Sequence, residues 1–430
     1  MKKAAVIGGG LAGFSAAVHL SNSGIKTFLF EASPKAGGRA YSLKDQISGD
    51  IIDNGQHLMM GCYTSTLRFL DLIGGSGNIF IQRDLEVNFA DRSGKISRLA
   101  AGSAPYPFSL LQSVLNYDQF SWKDKAAVIS FFLKLPFTDI ESLKEISVAD
   151  WLGRSGQTVN AVKALWEILA VGALNCSIEK ASASVFAHIL KQMFLKGGNA
   201  AKLIIPATGL TQMYCNQAAD FIRSGGGEVY LSSPLEKIYT EQGRVSCLEF
   251  RNGRKESFDF AVLAVPPHSL ARLIPEEAGL NCNFSEMKYS SILSVHIWIS
   301  ENNFREKFYG LIDSEVHWVF NHGRFLTIVI SNADKFSDYS AEDIYKLVTA
   351  ELKIYFRHFS EAHIVRRRVI FEKRATVIPD SGFLSSRPAA GTGLTNLFLA
   401  GDWTDTGLPS TIESAVRSGE MAAIEIRKRL

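Results

Sequence analysis

Apolar and polar positions in the first thirty residues follow the order of a βαβ unit. The apolar run at 4–7 predicts a strand, and Gly8-Gly9-Gly10 predicts a tight turn. A helix is predicted from Leu11 to about Ser21, and a second strand over 26–31. Because a helical crossover joins strands that run in the same direction, the unit predicts a parallel sheet.

The middle of the chain changes pattern twice. Residues from about 103 to 204 have helical apolar periodicity, which predicts a helical insertion. Short strands follow from Gly226, and the apolar run at 260–265 is typical of a buried parallel strand. Alternating strands over 286–376, with an amphipathic helix from Ala341 to about Phe356, predict a separate antiparallel sheet.

The C-terminal residues return to the first pattern. A strand is predicted over 397–400, and a closing helix over 410–429 with Ser410 or Thr411 as its cap. These elements predict an α/β protein, α+β overall, with a Rossmann-like dinucleotide-binding domain and a discontinuous substrate domain of antiparallel sheet plus helices. We assign the first domain to residues 1–85, 205–268 and 390–430, and the second to residues 86–204 and 269–389.

Composition narrows the function classes. The chain has 430 residues, 46% of them hydrophobic and 21% charged, which is ordinary for a globular protein. A net charge of +3 does not favour nucleic acid as a partner. Five cysteines without a C-x-x-C pair, and histidines without metal-ligand spacing, indicate neither a disulfide framework nor a metal site. The unpaired cysteines suit a reducing cytoplasm. No apolar run in the sequence is long enough to span a membrane.

The glycine turn carries the first chemical signal. Gly8-x-Gly10-x-x-Gly13 follows a strand and opens a helix, and Glu31 stands at the end of the next strand. The first glycine permits the turn, the second lets backbone N–H groups approach a pyrophosphate, and the third lets helix and strand pack. Glu31 can accept hydrogen bonds from ribose hydroxyls. The sequence therefore predicts a dinucleotide site.

Gly37-Gly38-Arg39 follows this unit directly. It is open to two interpretations, a glycine turn with a solvated arginine or a loop whose Arg39 donates two hydrogen bonds to the cofactor diphosphate. The position after a dinucleotide unit favours the second.

Gly8-Gly9-Gly10, Glu31, Gly37-Gly38-Arg39 and Ala400-Gly401-Asp402 together resemble the FAD-dependent amine oxidase and carotenoid desaturase superfamily, in the right order over nearly the whole chain. The resemblance implies a resident FAD. Its implied contacts are Gly8, Gly10, Leu11, Ala12, Gly13, Glu31, Ala32, Gly38, Arg39, Leu235, Gly401, Asp402, Ser410, Thr411 and Ile412.

Within that set the resemblance implies distinct contacts. Asp402 would bind the ribityl or diphosphate part of FAD, and Leu235 would meet the adenine through its backbone. The helix beginning near Ser410 would point its N-terminus at the flavin pyrimidine, where a positive helix end stabilises negative charge. A turn role for Asp402 and core packing for Leu235 remain the alternatives.

Three longer strings are similar to hydroxysqualene dehydroxylases, and the first also to phytoene and zeta-carotene desaturases. They are residues 53–63, 372–376 and 402–413, and Ser414 departs from the more usual glycine. The resemblance implies reduction of hydroxysqualene to squalene by reduced FAD, a step of squalene and hopanoid biosynthesis. A carotenoid-type desaturase and a flavin-containing isoprenoid-binding scaffold without catalysis are the alternatives.

Loss of the hydroxyl group as water needs a proton donor. His57 is the first candidate, because the resemblance places its loop against the flavin and an ordinary histidine pKa is about 6.5. An orienting role for His57 is the alternative, and Gln56, Arg374 and Glu413 are the other candidates. Glu413 also fits a first-turn acid favoured by the helix dipole.

The implied partners are a long-chain isoprenoid substrate and an external electron donor, since the chain has only one dinucleotide fingerprint and so no NAD(P)H domain of its own. The apolar stretch 131–137, with Lys134 inside it, predicts peripheral contact with the inner face of a membrane. Core packing of this stretch is the alternative.

Overall fold

The computed structural model describes residues 1–280, 282, 284 and 287–430. Its strands in chain order are β1 (Lys3–Ile7), β2 (Lys26–Phe30), β3 (Ser42–Lys44), β4 (Ile51–Asp53), β5 (Met59–Met60), β6 (Ile79–Ile81), β7 (Glu86–Ala90), β8 (Ile96–Ala100), β9 (Leu203–Pro206), β10 (Glu228–Tyr230), β11 (Leu235–Glu241), β12 (Arg244–Phe250), β13 (Lys255–Glu256), β14 (Phe260–Leu263), β15 (Tyr289–Ile299), β16 (Phe308–Leu311), β17 (Trp318–Asn321), β18 (Phe325–Ser331), β19 (Ile364–Val377) and β20 (Leu397–Leu399).

The helices are α1 (Leu11–Asn22), α2 (Thr64–Leu72), α3 (Phe108–Asn116), α4 (Trp122–Lys134), α5 (Val148–Arg154), α6 (Val159–Ala161), α7 (Glu167–Leu174), α8 (Ala183–Phe194), α9 (Asn216–Ser224), α10 (Pro267–Leu273), α11 (Ala341–Tyr355), α12 (Ser381–Ser386) and α13 (Ile412–Arg427). No helix of the described residues is long and apolar enough to cross a bilayer.

The predicted parallel sheet is confirmed. Its strand order is β10-β2-β1-β14-β20, and every neighbouring pair is parallel. Ala4 and Val6 of β1 pack against α1, α9 and α13, whereas Ala5 and Ile7 pack against the antiparallel β11–β13 sheet. The carboxyl ends of parallel strands share one edge, so the loops that follow β1, β2, β14 and β20 meet there.

A second sheet has the order β19-β15-β18-β17-β16-β7-β8. The sequence predicts an antiparallel sheet over 286–376, and residue 286 lies outside the described residues. The sheet is instead mixed, because β7 and β8 extend it and β7 pairs with β16 in parallel. A strand that enters from a distant segment can join an edge in either direction.

The two faces of this mixed sheet differ in what covers them. Leu293, Val295 and Ile297 of β15 pack against α11. The other face turns toward helices α3–α8, which form the predicted helical insertion. Within it, a π-helical turn, Val162–Trp166, directly precedes α7. The α/β, α+β overall, fold class predicted from the sequence is confirmed.

Candidate cofactor and substrate site

A single large cavity connects the carboxyl edge of the parallel sheet with the helical face of the mixed sheet, and it has a volume of about 1730 Å³. Pockets for one drug-sized ligand measure roughly 300–1,000 Å³. The cavity therefore has room for a dinucleotide and a second large ligand. Glycine loops and polar groups line the first part, and aromatic and aliphatic side chains of α3, α4, α7 and α8 line the second.

Two of the three fingerprint glycines make the close backbone approaches that the prediction requires, and the third lines the cavity. Gly8 has φ +115°, and a Cβ there would lie 2.4 Å from the carbonyl oxygen of Ala264. A Cβ on Gly13 would lie 1.8 Å from the carbonyl oxygen of Gly8, so only glycine lets α1 approach the turn. Gly10 lines the cavity, as do Leu11 and Ala12 at the start of α1. The glycine turn therefore has the shape expected of a loop that binds a pyrophosphate.

Glu31 directly follows β2 and lies beside Ala32 on the cavity wall. Its carboxylate accepts hydrogen bonds from the backbone N–H of Gly9 at 2.6 Å and of Ser33 at 2.7 Å. These bonds fix the carboxylate next to the glycine turn. That position fits the predicted contact with a ribose.

The loop of Gly37-Gly38-Arg39 packs directly on the glycine turn. Gly37 N–H donates to the carbonyl of Gly9 at 2.8 Å, and a Cβ on Gly38 would lie 3.1 Å from Gly10 Cα. Arg39, whose bidentate contact with a diphosphate stays a prediction, lines the cavity. Its Nη1 donates to the Ala375 carbonyl at 3.1 Å, and its Nη2 forms an ion pair with Asp402.

The segment after β20 closes the cradle. Gly401 has φ +157°, and a Cβ there would lie 2.2 Å from Nε1 of Trp403. Asp402 is buried and paired with Arg39, so the two predicted cofactor residues act as one unit. Both Gly401 and Asp402 line the cavity, and so does Leu235 at the start of β11.

Helix α13 begins at the cavity with Ser410, Thr411 and Ile412 on its wall. Of the two predicted caps, Thr411 is the one observed, because its Oγ1 accepts from the backbone N–H of Ser414 at 3.2 Å. The Ser410 hydroxyl is buried and has no hydrogen-bond partner in the described part of the chain. A buried orphan hydroxyl beside a positive helix end fits a polar, electron-accepting ligand.

His57 and Gln56 line the cavity beyond this helix end. His57 Nδ1 lies 2.7 Å from the carbonyl oxygen of Gly55, and because a carbonyl only accepts, the Nδ1–H is the donor. In the neutral ring Nε2 then carries a lone pair. Burial lowers the pKa of His57, which favours that neutral form. Proton donation from Nε2 therefore requires prior protonation of the ring.

Two other candidate acids have positions that the sequence does not reveal. The Glu413 carboxylate is buried and accepts from the backbone N–H groups of Ser65 and Thr66, both at 2.8 Å, and from the Thr66 hydroxyl at 2.7 Å. It caps α2, which favours a structural role. Arg374 is exposed and does not line the cavity, so the structure does not bring it to the site.

Glu372 is a cavity residue that sequence reasoning missed. Alternation along β19 would give residues 372 and 374 the same face. However, Ile292 pairs with Glu372 and Ser290 pairs with Thr376. The segment of β19 from Glu372 to Thr376 is therefore longer than its partner segment of β15 and contains a bulge. No glycine or proline marks this bulge, so the sequence carries no signal for it. Among the described residues, no group of three or more potential ligands is placed to hold a metal ion.

A model of the flavin-containing amine oxidoreductase family matches residues 11–427. The chain belongs to that family. It is 30% identical to the hydroxysqualene dehydroxylase of Sinorhizobium fredii, over 98% of this chain and 97% of that one. It is 24% identical to a 15-cis-phytoene desaturase of an Oncidium hybrid, over 97% and 76%. An oxidoreductase from Methanosarcina mazei has the same fold, with a TM-score of 0.76 at 16% identity over 98% of this chain and all of that one.

The protein is therefore an FAD-dependent oxidoreductase. Four features of the site fit this cofactor. They are the glycine turn, Glu31, the Arg39–Asp402 pair and the Ser410 hydroxyl, which has no partner among the described residues. When bound, FAD supplies hydride transfer. The side chains of the protein shape the cavity and place charges and protons around a substrate.

Proposed function

We propose that this enzyme removes the hydroxyl group of hydroxysqualene reductively and releases squalene, with FAD as the hydride source. The observation that carries the proposal is the cavity, in which an apolar compartment large enough for a long isoprenoid opens directly from the cofactor cradle. The full-length likeness to a hydroxysqualene dehydroxylase supports the same substrate class.

The chemistry sets what the side chains must do. The C–O bond of an allylic alcohol breaks with its electron pair on oxygen, the oxygen takes up a proton and leaves as water, and hydride forms the new C–H bond. The cavity must therefore offer a proton to the oxygen and tolerate positive charge on the allylic carbon. His57 lines this space, and its bond to Gly55 uses Nδ1 and leaves Nε2 for a substrate. Apolar walls would shield the cation from bulk water.

The decisive test is the direction of electron flow. Anaerobically reduced enzyme mixed with hydroxysqualene is expected to regain the oxidised flavin spectrum and yield squalene, identified by mass spectrometry. In D₂O, where the exchangeable N5 hydrogen of reduced flavin becomes deuterium, the squalene formed should carry one deuterium on carbon. If reduced enzyme ignores hydroxysqualene while oxidised enzyme bleaches with phytoene, the desaturase function holds instead. A spectrum unchanged by either compound would indicate a binding scaffold.

Access from a membrane is the second part of the proposal. The structure divides the apolar stretch 131–137: Phe131 and Leu135 are core residues, and Phe132 lines the cavity. Leu133 and Phe137 are 69% and 88% exposed and also line the cavity opening. Exposed apolar groups at the opening of an apolar cavity suit insertion among acyl chains, with Lys134 at the head groups. We infer that the protein docks peripherally on a cytoplasmic membrane face.

We expect the protein to float with anionic liposomes in a density gradient and a Leu133→Asp/Phe137→Asp variant to stay at the bottom. The reason is that two charges at the opening oppose burial in the acyl region. Val365→Asp is the matched control, because Val365 is 70% exposed on β19 and is not a cavity residue. Equal flotation of the double variant and the wild type would remove the membrane proposal.

A further inference from the structure

The carboxylates around the cavity differ in what holds them. Five line it in the described part of the chain: Glu31, Glu236, Glu372, Asp402 and Glu413. Backbone N–H groups hold Glu31, and Glu413 caps α2. Arg251 pairs with Glu236, and Arg39 pairs with Asp402. Glu372 receives no hydrogen bond from the described residues, although it is half-buried.

The sheet register fixes where Glu372 stands. Glu372, Ile292 and Ser331 are direct neighbours across β19, β15 and β18, and all three line the cavity. Cross-strand neighbours present their side chains on the same face. Glu372 therefore belongs to the face of the mixed sheet that forms one wall of the apolar compartment.

The His57 loop lies over the adjoining part of that wall. A Cβ on Gly55 would lie 3.6 Å from the Ser294 hydroxyl, and Ser294 is two residues from Ile292 along β15. The His57 loop thus packs two residues along the sheet from the neighbours of Glu372, and both His57 and Glu372 line the cavity.

The bulge in β19 also ties this wall to the cofactor cradle. Ala375, three residues after Glu372, accepts a hydrogen bond from Arg39 at 3.1 Å. Arg39 forms its ion pair with Asp402, and its charge also attracts the Glu372 carboxylate, with no ion pair between the two. Among the described residues, the Glu372 carboxylate has no ion-pair partner where the cradle meets the apolar compartment.

We propose that Glu372 is a catalytic residue whose carboxylate stabilises the positive charge that develops on the allylic carbon as the hydroxyl group leaves. This inference rests on the proposed function. The carboxylate exchanges no atom: oxygen leaves as water with one added proton, and the C–H bond forms with hydride. In a cavity with apolar walls, a carboxylate beside a developing positive charge stabilises that charge more strongly than it would in water.

The proposal is tested by turnover and by binding. Glu372→Gln keeps the shape of the side chain and removes its charge, so flavin reoxidation by hydroxysqualene in a single turnover should slow by about 10²-fold or more. Binding is measured with a squalene analogue that carries a protonated tertiary amine in place of a central carbon. Tryptophan fluorescence should show wild-type protein binding this cation at least about tenfold more tightly than Glu372→Gln.

Three comparisons keep the test specific. Glu361→Gln removes an exposed carboxylate just before the same strand and should change neither readout. Glu372→Asp keeps the charge and should retain preference for the ammonium analogue over squalene. Flavin content and thermal denaturation verify that each variant is folded and loaded.

The outcomes separate the two proposals. If the wild type reduces hydroxysqualene while Glu372→Gln reacts within threefold and binds the ammonium analogue equally well, the role of Glu372 is overturned and the function stands. If reduced wild-type enzyme does not react with hydroxysqualene, the proposed function itself is overturned.

Discussion

Gly13→Ala is expected to destabilise the protein whether or not FAD is bound, whereas Gly10→Ala is expected to leave the apoprotein stable and remove FAD. A Cβ on Gly13 would lie 1.8 Å from a backbone oxygen, that of Gly8, and 3.3 Å from Ala264 Cβ. Backbone cannot rotate away as a flexible side chain can. Overpacking in close-packed regions costs about 1–3 kcal/mol, and a clash this short belongs at or above the upper end.

Gly10 is the matched control for that prediction. Its φ of −86° is open to alanine, and a Cβ there would meet only Gly38 Cα, at 3.7 Å, which is an ordinary contact. The methyl group would instead occupy the cradle into which a pyrophosphate must fit. Thermal denaturation of apoprotein and FAD-loaded protein, with flavin content from absorbance, measures both effects. Equal denaturation temperatures for wild type and Gly13→Ala would contradict the packing role of Gly13.

Local patterns predicted much of the fold because their causes are local. The glycine turn, α1, α11 and α13 follow from turn residues, caps and apolar periodicity within short segments. Their observed ends lie close to the predicted ones, with α1 over Leu11–Asn22 and α11 over Ala341–Tyr355. The parallel sheet follows in turn from the handedness and reach of a helical crossover.

Pairings between distant residues could not be predicted in this way. Arg39 and Asp402 are 363 positions apart, and the sequence assigns both to the cofactor without indicating that they bind each other. Glu413 and Ser65 are 348 positions apart, and a first-turn acid of one helix proves to cap another. Such contacts depend on how α2 packs on α13 and how the loop of Arg39 packs on the segment after β20. No local sequence pattern encodes this packing.

The bulge in β19 shows how a small irregularity changes which residue reaches a site. A regular strand would present residues 372 and 374 together. Glu372 keeps the regular register with Ile292 and lines the cavity, whereas the extra residues before Thr376 leave Arg374 exposed. Bulges often redirect side chains next to active sites. The sequence therefore indicates residues 372–376 as a functional segment, but it does not show that Glu372 is the charged residue of this segment that faces the cavity.

His57→Ala is expected to slow the reoxidation of reduced enzyme by hydroxysqualene about 10²-fold or more if His57 donates the proton. Burial lowers the pKa of His57, so the ring is mostly neutral at neutral pH. The protonated form, which donates the proton, becomes more abundant as the pH falls. The wild-type rate should therefore rise from about pH 8 to about pH 6, and this dependence should disappear in His57→Ala. His188→Ala is the control, since His188 also lines the cavity but is bonded to Gln192 at 3.1 Å.

His57→Asn separates proton donation from loop positioning. An asparagine side chain can still donate to the Gly55 carbonyl, which His57 Nδ1–H contacts at 2.7 Å, but it cannot deliver a proton to a leaving hydroxyl. If the imidazole is the acid, His57→Asn should be as slow as His57→Ala and equally insensitive to pH. If the bond to Gly55 merely holds the loop, His57→Asn should recover most of the wild-type rate. Stopped-flow flavin absorbance across this pH range distinguishes the two, because a loop held in place gives no reason for the rate to follow the protonation of one ring.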